Sequence, residues 1–164
     1  MDEVIRQLPK KAAEKHKENK KFLAQLRKKP PKHLDYVMQE LHEAEFQRTD
    51  CLTCANCCKT TGPLFTNSDI ERISKHFRMK PHKFISDFLQ VDEENDYVLQ
   101  QLPCTFLGSD NLCAIYEVRP KACREFPHTD RKKFHQISNL TLQNVAICPA
   151  AYNIVEAMKK RIKP

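Results

Sequence analysis

The segment CLTCANCC, residues 51–58, places four cysteines within eight positions. A single buried cysteine can serve as a small apolar residue, but a hydrophobic core has no reason to concentrate half of its cysteines in one short loop. The overlapping C-x2-C-x2-C spacing, in a chain with four more cysteines downstream, therefore predicts metal ligation. We expect the metal ligands to be all eight cysteines of the chain: Cys51, Cys54, Cys57, Cys58, Cys104, Cys113, Cys123 and Cys148.

An even number of cysteines is also compatible with a disulfide framework. The first residues, MDEVIRQLPKKAAEK, contain no apolar run typical of a secretory signal, and no stretch is apolar enough to cross a bilayer. We therefore expect a cytoplasmic protein without membrane contact. Because cytoplasmic thiols stay reduced, metal ligation is the favoured interpretation of the cysteines.

The net charge of +7 is confined to the start of the chain. Residues 1–32 contain 11 Lys and Arg against 4 Asp and Glu, whereas residues 33–164 contain 17 of each. This distribution predicts a basic helical arm, residues 1–32, attached to a cysteine-cluster domain, residues 33–164. The arm is a candidate surface for RNA or an acidic protein partner, although a charged and mostly solvated helix is the simpler interpretation.

The hydrophobic pattern predicts a small, metal-stapled α+β domain that is mainly α with a small β-hairpin. An apolar stripe predicts a helix over residues 33–46, and Ser68 followed by Glu71 predicts a capping box at the start of the next helix. Pro81 and Pro149 are placed to begin two further helices.

The hairpin is predicted over residues 102–116, where two β-prone runs flank the turn sequence GSDN. Pairing Leu107 with Leu112 would direct Cys104 and Cys113 to the same side of the hairpin. A separate short strand is expected over residues 97–101.

Two further cysteines fall beside predicted helical turns. Cys123 lies on a turn that Pro120 can begin, and Cys148 precedes the helix that begins at Pro149. The positive end of that helix dipole should favour the thiolate form of Cys148, which would make it a good metal ligand.

Two kinds of metal centre fit these cysteines. Two zinc sites of four thiolates each would use all eight cysteines. A [4Fe–4S] cluster fits the loop Cys51, Cys54 and Cys57 with the remote Cys148-Pro149, in outline the arrangement of bacterial ferredoxins, although their Cys-Pro lies much closer in sequence. The adjacent Cys57 and Cys58 indicate either two neighbouring centres or one ligand beside a thiol that supports it. We favour iron–sulfur over zinc.

Other functions find little support in the sequence. The histidines have no recognisable spacing to a cysteine, so we assign no catalytic residue. The chain has only two glycines and no phosphate-binding loop, so we expect no dinucleotide cofactor.

Several motifs together resemble the YkgJ-like cysteine-cluster family, the CxxCxxCC zinc- or iron-chelating domain. They are CLTCANCC at 51–58, PCTFL at 103–107, CAIY at 113–116, RPKACREFP at 119–127 and the late Cys148. The resemblance covers about residues 50–150 and leaves the basic arm outside. It implies a metal-chelating domain that uses eight cysteines. Relatives are often described as iron–sulfur oxidoreductases, and the family looks related to flagellin lysine N-methylases, but no segment here can be assigned to a methyl-donor pocket.

Arg119 and Arg124 flank Cys123 and are expected either to compensate thiolate charge around the metal or to pair with nearby carboxylates. Tyr116 is expected in the core. Three functions follow from these residues: a metal-binding protein, which we favour; a cluster-dependent oxidoreductase or protein-modifying enzyme; and a zinc-stapled module that binds RNA or protein.

Overall fold

The computed structural model of the protein describes residues 1–163. It is mainly α-helical with one small antiparallel hairpin, which confirms the predicted fold class. The strands are β1 (Leu89–Val91) and β2 (Tyr97–Leu99). The α-helices are α1 (Asp2–Lys28), α2 (Leu34–Phe46), α3 (Cys51–Cys54), α4 (Asn56–Thr60), α5 (Asn67–His76), α6 (Pro81–Phe88), α7 (Lys121–Glu125), α8 (Ser138–Asn144) and α9 (Pro149–Arg161).

The chain divides into two compact units. The first unit comprises residues 1–54 and 127–163 of the described chain, and the second comprises residues 55–126. Each unit has a hydrophobic core of its own. The division falls inside the CLTCANCC segment, between Cys54 and Ala55.

The first unit is a helical assembly in which α1 and α2 pack against α8 and α9. Its core includes Leu26 of α1, Met38 of α2 and Met158 of α9, all completely inaccessible to solvent. Most residues of α1 are exposed, as predicted, and the buried residues Leu8, Ala12, Asn19, Leu23 and Leu26 lie on one face of the helix. The helix begins at Asp2, and Leu8 adds a turn of buried apolar contact ahead of Ala12.

A polar contact joins α2 to α9 within this unit. The carboxylate of Glu45 is buried and accepts a hydrogen bond of 2.8 Å from Asn153 Nδ2. The Thr49 hydroxyl donates to the same carboxylate, and Arg48 forms an ion pair with it. A buried carboxylate is tolerated only when it has such partners.

The second unit packs α5, α6 and the hairpin around Phe84 and Ile73. As predicted, Pro81 occupies the first turn of α6. The predicted capping box at Ser68 and Glu71 is misplaced by two residues, since Thr66 and Asp69 form it instead. Thr66 holds the extended backbone that an N-cap requires, whereas Ser68 is already inside the helix.

The hairpin also lies elsewhere than predicted. Strand β1 pairs with β2 in the register Leu89↔Leu99, so the short strand predicted from Tyr97 is present but ends at Leu99. Residues 102–116 form only an isolated bridge between Leu107 and Cys113, one residue away from the predicted register. The observed turn therefore contains one residue more than the predicted turn. It is accommodated because Asn111 adopts a left-handed conformation with φ of 65°.

The remaining predicted elements agree with the structure in outline. Helix α9 begins at Pro149 with Cys148 as its N-cap, and α7 carries Cys123 with Pro120 as its N-cap. Among the described residues, no helix has both the length and the apolar character needed to cross a membrane.

Candidate metal centre

The CLTCANCC segment is helical rather than a loop. Its first two cysteines lie on the single turn α3, where Leu52 N donates to Asp50 Oδ1 at 2.9 Å. Cys57 and Cys58 lie on the next turn, α4. Ala55 separates the two turns with a left-handed φ of 50°, a conformation that costs a residue with a Cβ roughly 1–2 kcal/mol.

Three thiols belong to the first unit: Cys51, Cys54 and Cys148. The Cys148 sulfur accepts a weak hydrogen bond from Ala151 N at 3.4 Å, as expected for a residue that caps α9. Burial raises the pKa of the Cys148 thiol to about 12, and the charges of Cys51 and Cys54 add to the shift. The amides of Ala151 and Ala150 at the start of α9 act in the predicted direction and lower the pKa, but the effect of burial is larger.

The second unit contains the other five cysteines, and backbone contacts connect their segments. Cys104 N donates to Cys58 O at 2.8 Å, which fixes the start of the 104–113 turn against α4. The Leu107–Cys113 bridge then closes that turn. The hairpin that was predicted to direct Cys104 and Cys113 to one side is thus replaced by an irregular turn, within which the charge of Cys113 still raises the pKa of Cys104.

The thiols of this unit influence one another electrostatically. Burial raises the pKa of Cys104, Cys113 and Cys123, to about 12 for Cys123, and the charge of Cys58 adds to each shift. Cys58 differs from the others. Its pKa is lowered to about 7, chiefly by a hydrogen bond with the neighbouring Cys57 thiol, whose Sγ lies 3.9 Å from that of Cys58.

Cys123 is positioned by an ion pair on α5 that the sequence analysis did not identify. Asp69, 1% exposed, accepts from Lys121 N at 3.0 Å and thereby holds the first residue of α7. Arg72 binds Asp69 at 2.6 Å and donates to the carbonyl oxygens of Val118 and Arg119 at 3.2 and 2.8 Å. The TNSD sequence indicates that Asp69 caps a helix, but its second contact lies 52 residues away and leaves no local signal.

Of the two expected supporting arginines, Arg119 acts on the thiols. Its guanidinium lies 3.8 Å above the Tyr116 ring, and its positive charge offsets a small part of the rise that burial causes in the pKa of both Cys113 and Cys123. Arg124 donates to Arg119 O at 2.9 Å. Tyr116, expected in the core, is 37% exposed because its ring supports the guanidinium from the surface.

The chemistry of this donor set fits a thiophilic metal. Within residues 1–163, no three Cys, His, Asp or Glu side chains are arranged so that they could already hold a metal ion. The thiol ligands are nevertheless those that zinc and iron–sulfur clusters prefer. The 3.9 Å between Cys57 Sγ and Cys58 Sγ also matches the sulfur–sulfur separation of about 3.8 Å expected around tetrahedral zinc.

The comparison with protein families agrees with this chemistry. The model of the CxxCxxCC family, described as a putative zinc- or iron-chelating domain, matches residues 50–141. The chain belongs to this family. No curated protein and no solved structure is significantly similar to the chain. The match contains seven of the eight cysteines and ends before Cys148. Family and composition together support a metal-binding, cysteine-rich domain.

The contacts of Asp69 predict a measurable loss of stability in Asp69→Asn. The variant keeps the size of the side chain but weakens the hydrogen bonds that the carboxylate accepts in a buried position. We expect urea denaturation to show a decrease of about 1–3 kcal/mol in the free energy of unfolding. The matched control is Asp87→Asn, whose carboxylate pairs with Lys83 at the surface and should cost less than about 0.5 kcal/mol.

The same contacts determine the direction of the pH dependence. Burial raises the pKa of Asp69, but the hydrogen bonds from Thr66 and Arg72 outweigh it and lower the pKa below the ordinary value of about 4. The stabilisation is therefore present above that value and lost as the pH falls through the pKa of the folded state. Equal acid sensitivity of the wild type and Asp69→Asn would contradict this role.

Proposed function

We propose that this protein binds metal through up to eight cysteines, as a [4Fe–4S] cluster in preference to zinc. The supporting observations are the hydrogen bond from Cys104 N to Cys58 O at 2.8 Å and the charge of Cys58, which adds to the burial that raises the pKa of Cys104, Cys113 and Cys123. Thiols that only filled a core would have no need to share one electrostatic environment.

A bound cation would explain why the fold can hold several cysteine thiols close together. Several thiolates close together repel one another, and each loses solvation on burial; burial and neighbouring thiolates together raise the pKa of Cys104, Cys113, Cys123 and Cys148. A metal ion replaces the protons and compensates the negative charge, so that metal binding contributes to folding. Arg119 supplies further positive charge beside Cys113 and Cys123.

The preference for an iron–sulfur cluster over zinc is based on the spacing of the cysteines in the sequence. Cys51, Cys54 and Cys57 repeat the C-x2-C-x2-C spacing of ferredoxin loops, and Cys148 is followed by Pro149 as the last ferredoxin ligand is. In this proposal the centre staples the fold or transfers electrons. Catalysis through the cluster would additionally require an exchangeable coordination position.

Metal analysis of protein purified without oxygen tests this proposal. We expect iron together with an equivalent amount of acid-labile sulfide, and a brown solution with broad visible absorption. Stoichiometric zinc in a colourless protein would refute the iron–sulfur proposal and retain metal chelation. Protein that folds and carries neither metal would refute both.

We also propose that the solvent face of α1 binds RNA. Leu8, Ala12, Leu23 and Leu26 bury the opposite face of the helix. The exposed face carries a row of four lysines: Lys10, Lys17, Lys21 and Lys28.

Helical geometry makes this row continuous. At 100° per residue the four lysines lie within about 40° of one another, and they extend over about 27 Å of helix. The row contains no aromatic side chain that could stack on a base. Such a surface can bind the phosphates of a nucleic acid independently of the base sequence.

Replacing the four lysines of this row by glutamate should weaken RNA binding. The variant with Glu at positions 10, 17, 21 and 28 should bind a labelled single-stranded RNA more weakly than the wild type. The slope of log affinity against log salt concentration is negative, and its magnitude should decrease by about 3. Each lost phosphate contact on a single strand reduces that magnitude by about 0.7.

A control variant with the same net charge shows whether the position of the lysines, and not the total charge, determines RNA binding. It carries Glu at four other exposed lysines, Lys75, Lys80, Lys132 and Lys160, and should retain the salt slope of the wild type. Equal losses in both variants would show that total charge, and not the α1 row, determines the binding.

A further inference from the structure

Cys148 lies at the corner between α8 and α9, and the backbone of this corner is held by one residue. The carbonyl oxygen of Asn144, the last residue of α8, accepts hydrogen bonds from Ile147 N at 3.1 Å and from Cys148 N at 2.8 Å. These two bonds use both lone pairs of that oxygen. The backbone position of Cys148 therefore depends on the position of Asn144.

The side chain of Asn144 is itself fixed by a buried contact. Asn144 is 4% exposed, and its Nδ2 donates a hydrogen bond of 3.1 Å to the carbonyl oxygen of Pro127, which is also buried. A buried carbonyl group without a partner is unfavourable, so this amide satisfies Pro127 as well as itself. An ionised aspartate of the same size could not donate this hydrogen bond, because its carboxylate only accepts.

The segment 127–129, to which Asn144 binds, is anchored at a second point. The hydroxyl of Thr129, a residue that is 2% exposed, forms a hydrogen bond of 2.8 Å with Nδ1 of His42 on α2. Between the two anchors His128 adopts a left-handed φ of 65°, a conformation that persists when the surrounding structure holds it. A series of polar contacts thus connects α2 to the α8–α9 corner.

The helix that follows Cys148 is held by further contacts. Its first turn is capped by the Cys148 sulfur, which accepts from Ala151 N at 3.4 Å. Asn153, on the next turn, donates to the buried carboxylate of Glu45 on α2. The corner is therefore held from both sides, and none of these contacts involves another cysteine.

We propose that Asn144 is a positioning residue for the metal centre, which holds Cys148 in the place of a metal ligand in the absence as well as the presence of the metal. This inference rests on the proposed metal binding through cysteine. The family match ends at residue 141 and assigns a role to neither residue. Cys148 is also the cysteine most distant in sequence from CLTCANCC, so that only tertiary contacts can place it.

Asn144→Asp tests this role, because it keeps the size of the side chain and removes the donor to Pro127. Full-length proteins purified without oxygen are titrated with EDTA, and the metal that each protein retains is measured. The EDTA concentration that removes half of the metal should be about 10–100-fold lower for the variant than for the wild type, the usual effect of replacing a residue that orients a metal ligand. Cys148→Ser should show at least as large a decrease.

Thr141→Val is the matched control for a loss of stability alone. Thr141 is 2% exposed on the same helix and donates to Ile137 O at 3.0 Å, so the variant loses a buried hydrogen bond without changing the contacts of Cys148. Both variants should unfold at lower urea concentrations, but Thr141→Val should release its metal at the EDTA concentration of the wild type. Asn144→Asp that retains metal as the wild type does, or no better than Thr141→Val does, would overturn the inference. So would an unchanged value for Cys148→Ser.

Amide hydrogen exchange of the wild type provides a second test that does not depend on how well the variants fold. The amide of Cys148 should exchange slowly with the metal bound and after its removal by EDTA, because Asn144 O accepts its hydrogen in both states. Rapid exchange of this amide in the metal-free protein would overturn the inference. A wild type that folds and is purified without metal would instead refute the proposed function itself, which distinguishes the two failures.

Discussion

Repulsion between thiolates is the constraint on which the cysteine-bearing part of this protein depends. Burial and neighbouring thiolate charge both raise the pKa of Cys104, Cys113 and Cys123, so these residues cannot ionise together without a compensating cation. The same holds for Cys148 beside Cys51 and Cys54. A polypeptide has little reason to place thiols in this way unless a metal ion removes the protons and supplies the positive charge.

The rest of each unit serves to keep these thiols in place. In the second unit the buried Asp69 caps α5 and also holds the first residue of α7, while Arg72 fixes the carbonyl groups just before it. In the first unit Glu45 and Asn153 connect α2 to α9, the helix that begins at Cys148. Buried polar groups of this kind cost little free energy of folding when all their hydrogen-bonding atoms have partners, and they favour one arrangement of the chain.

Local chemistry explains which features could be predicted from the sequence. Pro81 and Pro149 begin helices because proline fits the first turn, where no amide hydrogen is needed. The fold class and the family follow from apolar periodicity and from the spaced cysteine motifs. The hairpin was misplaced because residues 102–116 carry turn residues between β-prone runs, whereas β1 is formed at the end of α6, where the sequence still appears helical.

Features that depend on distant contacts could not be predicted. The burial of one face of α1 depends on α8 and α9, more than 100 residues away. The same holds for the left-handed conformation of Ala55 and for the hydrogen bond from Cys104 N to Cys58 O. Neither has a signature in CLTCANCC itself, whose spacing would equally suit a single four-cysteine site.

The central claim is that cysteine sulfur holds the metal, and X-ray absorption spectroscopy at the metal edge tests it most directly. The account predicts a first coordination shell of sulfur alone, at about 2.3 Å if the metal is zinc. A first shell dominated by nitrogen or oxygen, at about 2.0–2.1 Å, would contradict it, because histidine, carboxylate or water would then bind the metal in place of the cysteines.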